Sequence, residues 1–185
     1  MSVSDDPTLG RPVEGAPDVP PRLAPDAAFP PYRFVPGKAP HPFAHEGGWG
    51  YGTERPVPPY TPPERWRECT NYLYGVDLFN AGWWWEAHET WEELWHVTQA
   101  ESEGWTDLLK GLIQLAACSL NRERGVHGGA NRLLVTAVQC LERVRDRDAV
   151  DGRFCGLDVA WLIDAAREHL TDEAPAKPGL FLRPA

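Results

Sequence analysis

Hydrophobic residues recur every three or four positions after Pro63, which is the period of an amphipathic α-helix. The stripe predicts a first helix that follows a capping-box sequence, Thr61–Glu64, and ends at the turn residue Gly82. No β-type alternation of useful length is present. The pattern therefore predicts an all-α fold, a bundle of about five helices. The four later helices are predicted at roughly Trp83 to Thr98, Thr106 to Arg124, Gly129 to Arg145, and from a cap at Asp158 onward.

The segment before Pro63 differs in composition from the rest, because sixteen of the protein's nineteen prolines lie at or before that residue. Proline lacks an N–H donor and interrupts helices, so this segment is predicted to be an irregular arm. Residues 1–28 carry few large apolar side chains, and we expect them to be disordered. Residues 29–60 carry aromatic rings between the prolines, and we expect them to dock on the helical body, within the chain or on a neighbouring subunit. The helical domain then spans residues 61–172, and residues 173–185 form a C-terminal tail.

Composition narrows the class of partner. The net charge is −9 with a pI near 5.1, and no block is rich in lysine or arginine, which argues against nucleic acid and against an anionic membrane surface. No apolar stretch reaches the roughly 18–20 residues of a membrane span, and the N-terminus lacks a signal-peptide pattern. We expect a cytoplasmic protein. None of the four cysteines forms a C-x-x-C pair, so we expect buried thiols.

One short motif places ionisable groups among large rings. His88, Glu92 and Trp95 form H-x-x-x-E-x-x-W, and offsets of four and seven return to one face of a helix. On a helical wheel the rings of Trp84, Trp91 and Trp95 surround His88, which predicts that His88 lies in the middle of the most apolar face. Burying such groups costs several kcal/mol unless they find partners. The motif is therefore the candidate functional site.

The same residues carry a family resemblance. The helical part resembles the domain-of-unknown-function family 309, small bacterial and archaeal helical proteins with an HxxxExxW signature. The resemblance covers roughly residues 66–170 and implies an all-α fold, but it supplies no activity and no cofactor. Asn121 departs from it, since relatives often carry histidine there, and so does Val126. The matching segments are Phe79–Gly82, Glu86–Glu89, Glu92, Trp95, Gly111–Ala116, Gly129–Ala130 and Gly156–Val159.

The first functional hypothesis is a pocket for a small molecule. His88 and Glu92 would act as a catalytic acid–base pair, with the carboxylate fixing the imidazole tautomer. Two tryptophans would form an apolar wall, and a polar line on the third helix would add one cation and two amides if it faces the motif. The binding residues assigned in this way are Trp91, Trp95, Lys110, Gln114 and Asn121.

Three alternatives stay open. In the first, His88 and Glu92 form a buried structural pair joined by a hydrogen bond, without catalysis. In the second they are weak candidates for metal ligands, because His88-Glu89-x-x-Glu92 resembles the H-E-x-x-H zinc helix with its second histidine replaced. In the third the surplus of tryptophan serves a homo-oligomer interface. Glu89 and Glu93 are expected to form a solvated face.

Overall fold

The computed structural model describes residues 20–169 and 182–184. Over residues 20–169 the chain forms five α-helices, which confirms the predicted all-α bundle. An antiparallel hairpin of two-residue strands, not predicted from the sequence, joins the last two helices. None of the helices in this described part is both long and apolar enough to cross a membrane. The elements are α1 (Thr70–Asn80), α2 (Trp84–Thr98), α3 (Glu103–Glu123), α4 (His127–Arg147), β1 (Arg153–Phe154), β2 (Leu157–Asp158) and α5 (Val159–His169).

Two helix starts differ from the prediction for local reasons. A separate 3₁₀-helix, Pro63–Glu68, precedes α1, and the backbone leaves helical geometry at Cys69. The capping box at Thr61 does not form, because Pro62 occupies the cap position and no side chain caps the helix. By contrast, α3 begins three residues earlier than predicted. Its cap is Ser102, whose hydroxyl accepts the backbone N–H of Trp105 at 3.3 Å.

The core is built around α3, which packs against α2 on one side and α4 on the other. Its buried residues include Leu108, Leu112 and Leu115. Helix α1 packs on α2 at Gly75, where a Cβ would overlap the indole of Trp91. This close approach seats the indole of Trp91 in the core and so fixes which side of α2 faces inward.

The arm from residue 20 onward lies along α1 and α2. At its start, the buried carboxylate of Asp77 accepts the backbone N–H groups of Leu23 at 2.7 Å and Ala24 at 2.8 Å. Further on, Val35 is fully buried, and Phe29 packs on Trp83 with ring centroids 5.4 Å apart. The predictions made for residues 1–19 and for most of the tail, 173–181 and 185, fall outside the described residues.

Candidate binding site on the second helix

The side of α2 that is buried against the core includes fewer of its large rings than the helical wheel predicted. Ala87, Trp91 and Leu94 are fully buried, whereas the side chain of His88 is 25% exposed. The prediction that His88 lies in the middle of the buried face is therefore wrong. The wheel gave most weight to the large rings, but Trp84 and Trp95 are only partly buried. The side of α2 that packs on α1 and α3 instead includes the smaller side chains of Ala87 and Leu94 beside Trp91.

The motif residues lie at the edge of that inward side. The His88 Nδ1 atom is 3.5 Å from Glu89 Oε1 without forming a hydrogen bond, and it has no other partner. The hydrogen bond expected between His88 and Glu92 is not formed in the described structure. One ligand atom each from His88, Glu89 and Glu92 lies within 4.8 Å of the others. The indole Nε1 of Trp95 is also buried without a partner.

The other residues predicted to bind a ligand are spread along α2 and α3. Trp91 belongs to the core, where its Nε1 donates to the backbone oxygen of Tyr72 at 3.2 Å. Asn121 accepts from Arg124 at 3.4 Å where α3 ends. The remaining two residues of the polar line lie on α3 as an exposed side chain, Lys110, and a half-buried one, Gln114.

A cavity of about 380 Å³ lies between the arm and the side of α2 that faces it. Its wall on α2 includes Trp85, Glu86, Glu89 and Thr90, and the arm contributes aromatic and charged residues opposite them. His88, Glu92 and Trp95 do not line this cavity. The cavity therefore lies beside the H-x-x-x-E-x-x-W edge, and Glu89, which lines the cavity 3.5 Å from His88 Nδ1, adjoins both.

Glu86 is the most perturbed carboxyl of this wall. It is the third residue of α2, only 4% exposed, and its Oε1 accepts the backbone N–H of Phe34 at 2.6 Å. Its Oε2 has no hydrogen-bond partner. Burial raises the pKa of Glu86 to about 7, against the opposing effects of the Phe34 N–H, its own backbone N–H and the Arg33 charge, while Glu89 adds to the rise. Glu86 therefore changes its charge near neutral pH.

Glu89 and Glu93 contact the arm and keep 20% and 26% of their side-chain surface exposed, so the predicted solvated face is only partly exposed. Arg55 donates from Nη1 to Glu89 Oε2 at 2.8 Å and from Nε to Glu93. Its guanidinium also lies 4.5 Å from the ring centroid of Phe43. Burial alone would raise the pKa of Glu89, but contacts with His88 and Arg55 outweigh it and lower that pKa.

Aromatic rings of the arm and of α1 also line the cavity. Phe43 and Trp49 of the arm pack together with ring centroids 5.0 Å apart, and Tyr74 lies on α1. Beside the cavity, Phe34 meets Trp85 at 4.9 Å. The indole Nε1 of Trp49 is buried and has no partner. Two residues of the wall, Trp49 and Glu86, thus each carry a buried polar atom without a hydrogen-bond partner.

The fold and this site define a helical-bundle protein with an arm laid over one helix. Residues 72–133 match the family described as Domain of unknown function (DUF309), which confirms the resemblance for that segment. The matched segment runs from α1 into α4. No curated protein and no solved structure gives a significant match. The matched segment contains all of α2, whereas the arm that completes the cavity lies outside it.

Proposed function

We propose that the protein binds a small molecule in the cavity between the arm and α2. The observation that supports this is the pair of unpartnered polar atoms, Glu86 Oε2 and Trp49 Nε1, on residues of one cavity wall. Buried polar groups are nearly always paired, and each unpaired one costs on the order of 1–3 kcal/mol. A ligand with a donor and an acceptor would remove both costs. The cavity volume also lies in the range that holds small ligands.

The cavity has the means to move a proton. A carboxyl whose pKa lies near 7 is populated in both protonation states at neutral pH, which is what a general acid or base requires. Glu86 takes this role within the cavity, and the His88–Glu92 pair that the motif suggested lies outside it. Binding is the function proposed, and proton transfer by Glu86 is the chemistry that the site would offer to a bound molecule.

A fragment screen on the ¹⁵N-labelled full chain tests this proposal. We expect hits whose chemical-shift changes cluster at the α2 and arm residues of the cavity. Thr90→Phe should abolish these hits by filling the cavity, because Thr90 lies in its wall. The matched control is Thr136→Phe, at a half-buried threonine of α4 that does not line the cavity, which should leave them unchanged. Hits that survive Thr90→Phe, or a screen without hits at the cavity, would refute the proposal.

A second candidate function is a divalent-cation site at the motif. The observation that favours it is the cluster of His88, Glu89 and Glu92, whose ligand atoms lie within 4.8 Å of one another beside an unpartnered His88 Nδ1. One imidazole and two carboxylates suit zinc or manganese. His88 and Glu92 also stay our candidates for an acid–base pair at this edge, because the same distances would let a bound water or ion join them.

Titration of Zn²⁺ and Mn²⁺ into the metal-free full chain tests the cation site. We expect one saturable site per chain in the wild type and none in His88→Ala. His96→Ala is the control, because His96 lies on the same helix outside the cluster and is exposed. Equal binding by both variants, or no saturable site in the wild type, would exclude the cluster as a cation site.

A further inference from the structure

We infer that the cavity selects small organic amines, bound as ammonium ions between the Glu86 carboxylate and the aromatic wall. This inference rests on the proposed function, because it names the class of molecule that the cavity would take. Three features of the wall lead to it: its charge balance, its aromatic faces, and the position of Glu86 relative to the nearby arginines.

The charges of the wall disfavour an anionic ligand. Four glutamates and one arginine line the cavity, and the arginine, Arg55, is already paired with Glu89 and Glu93. Outside the wall, the charge of Arg33 acts on Glu86, but Arg33 donates to both carboxylate oxygens of Glu123 at 2.7 Å. Glu86 is therefore left without a cationic partner of its own. An ammonium ion would supply both the missing charge and N–H donors for its free oxygen.

The aromatic part of the wall favours the same ligand. Phe43, Trp49, Tyr74 and Trp85 all line the cavity. Aromatic faces attract cations, and this cavity already holds one such contact, between the Arg55 guanidinium and Phe43 at 4.5 Å. The carbon chain of an amine would lie against these rings. A hydroxyl or carbonyl on the ligand would in addition accept from the indole of Trp49.

Isothermal titration of the full chain with three probes that share one ring tests the inference. The probes are phenethylamine (cationic), 2-phenylethanol (neutral) and 3-phenylpropanoate (anionic). We expect phenethylamine to bind about tenfold or more tightly than the alcohol, and the carboxylate to bind least. Glu86→Gln should remove the preference for the amine. Glu142→Gln, a carboxylate of α4 outside the cavity, should leave that preference unchanged.

The outcomes separate the ligand class from the site. If the alcohol or the carboxylate binds the cavity as well as the amine, or if Glu86→Gln keeps the preference for the amine, the amine class is wrong while the binding cavity stands. If the amine fails to bind and the fragment screen also finds nothing at the cavity, both are wrong. Thr90→Phe, which blocks the cavity without touching a charge, should abolish amine binding and serves if Glu86→Gln does not fold.

Discussion

Two adjacent flanks of α2 carry ionisable groups, and they differ in their contact with the arm. The arm lies over Glu86, Glu89 and Glu93 and borders a cavity there. The motif edge, with His88 and Glu92, forms the neighbouring flank, does not line the cavity and is partly exposed. The comparison teaches that the residues most conspicuous in the sequence and the residue most perturbed in the structure lie on different sides of one helix.

The degree of burial explains why Glu86 differs from the other glutamates of α2. Glu86 and Glu93 belong to the same helix, two turns apart, yet only Glu86 is buried beneath the Phe34 backbone. Loss of water around a carboxyl raises its pKa, whereas Glu93 keeps partial exposure and an arginine partner. The arm thus gives Glu86 its chemistry, and removing the arm should return Glu86 to an ordinary surface acid.

The largest expected effect is on the free energy of unfolding, and it distinguishes Trp91 in the core from Trp95 at the motif edge. Trp91→Ala should lower the free energy of unfolding by about 4 kcal/mol, because a fully buried indole and its hydrogen bond to Tyr72 are lost. Trp95→Ala should cost about 2 kcal/mol, because its ring is only partly buried. Urea unfolding of both variants measures this, and equal losses would mean that the motif edge is as much core as Trp91.

The stability of the folded protein should depend on pH through Glu86, on the flank of α2 that the arm contacts. The folded-state pKa of Glu86 is about 7 against an ordinary 4.5, so the folded protein holds a proton that the unfolded chain releases between these values. The stability contribution of this group is therefore present below pH 4.5 and is lost as pH rises through 7. Between pH 5 and pH 8 the loss should be about 2.5 kcal/mol.

Unfolding of the wild type and Glu86→Gln at both pH values isolates this contribution. The variant should lack the loss, since the amide does not titrate but still offers an oxygen to the Phe34 N–H. A difference between the two proteins that is the same at pH 5 and pH 8 would show that Glu86 titrates normally.

The bundle could be predicted from the sequence because helical periodicity is a local property. Helix α3 starts earlier than predicted, because Ser102 caps it. The site was harder to predict, because the contact between Phe34 and Glu86 joins residues 52 positions apart and that between Arg55 and Glu89 spans 34. The arm has no period that would indicate which of its residues face α2. Side-chain size on a wheel also misplaced His88, since small residues can mark the closest helix contacts.

A smaller effect is expected from the ion pairs that hold the arm over α2. Arg55→Ala should cost about 1 kcal/mol, because both pairs are partly exposed to water. The loss should shrink at high salt, which screens such pairs. The pKa of Glu89 should rise in the variant, since one of the contacts that lower it is gone. Unfolding at low and high salt measures the first effect, and a loss that is independent of salt would assign it to the Phe43 contact instead.

The smallest effect is expected at the motif edge. Glu92→Gln should change the free energy of unfolding by less than about 0.5 kcal/mol, because Glu92 is partly exposed and accepts no hydrogen bond from His88. Thermal and urea unfolding of this variant beside Glu86→Gln gives the comparison. A loss above about 2 kcal/mol would restore the hypothesis of a buried structural pair.

The most direct measurement compares two indole N–H groups, one on the arm beside the cavity and one on α2 at the motif edge. Trp49 Nε1 lies in the cavity wall and Trp95 Nε1 at the motif edge, and both are buried without partners. In ¹⁵N spectra of the full chain titrated with phenethylamine at pH 8, the Trp49 indole signal should move with saturation while the Trp95 signal stays in place. Movement of the Trp95 signal alone, or of neither signal, would contradict a binding site between the arm and α2.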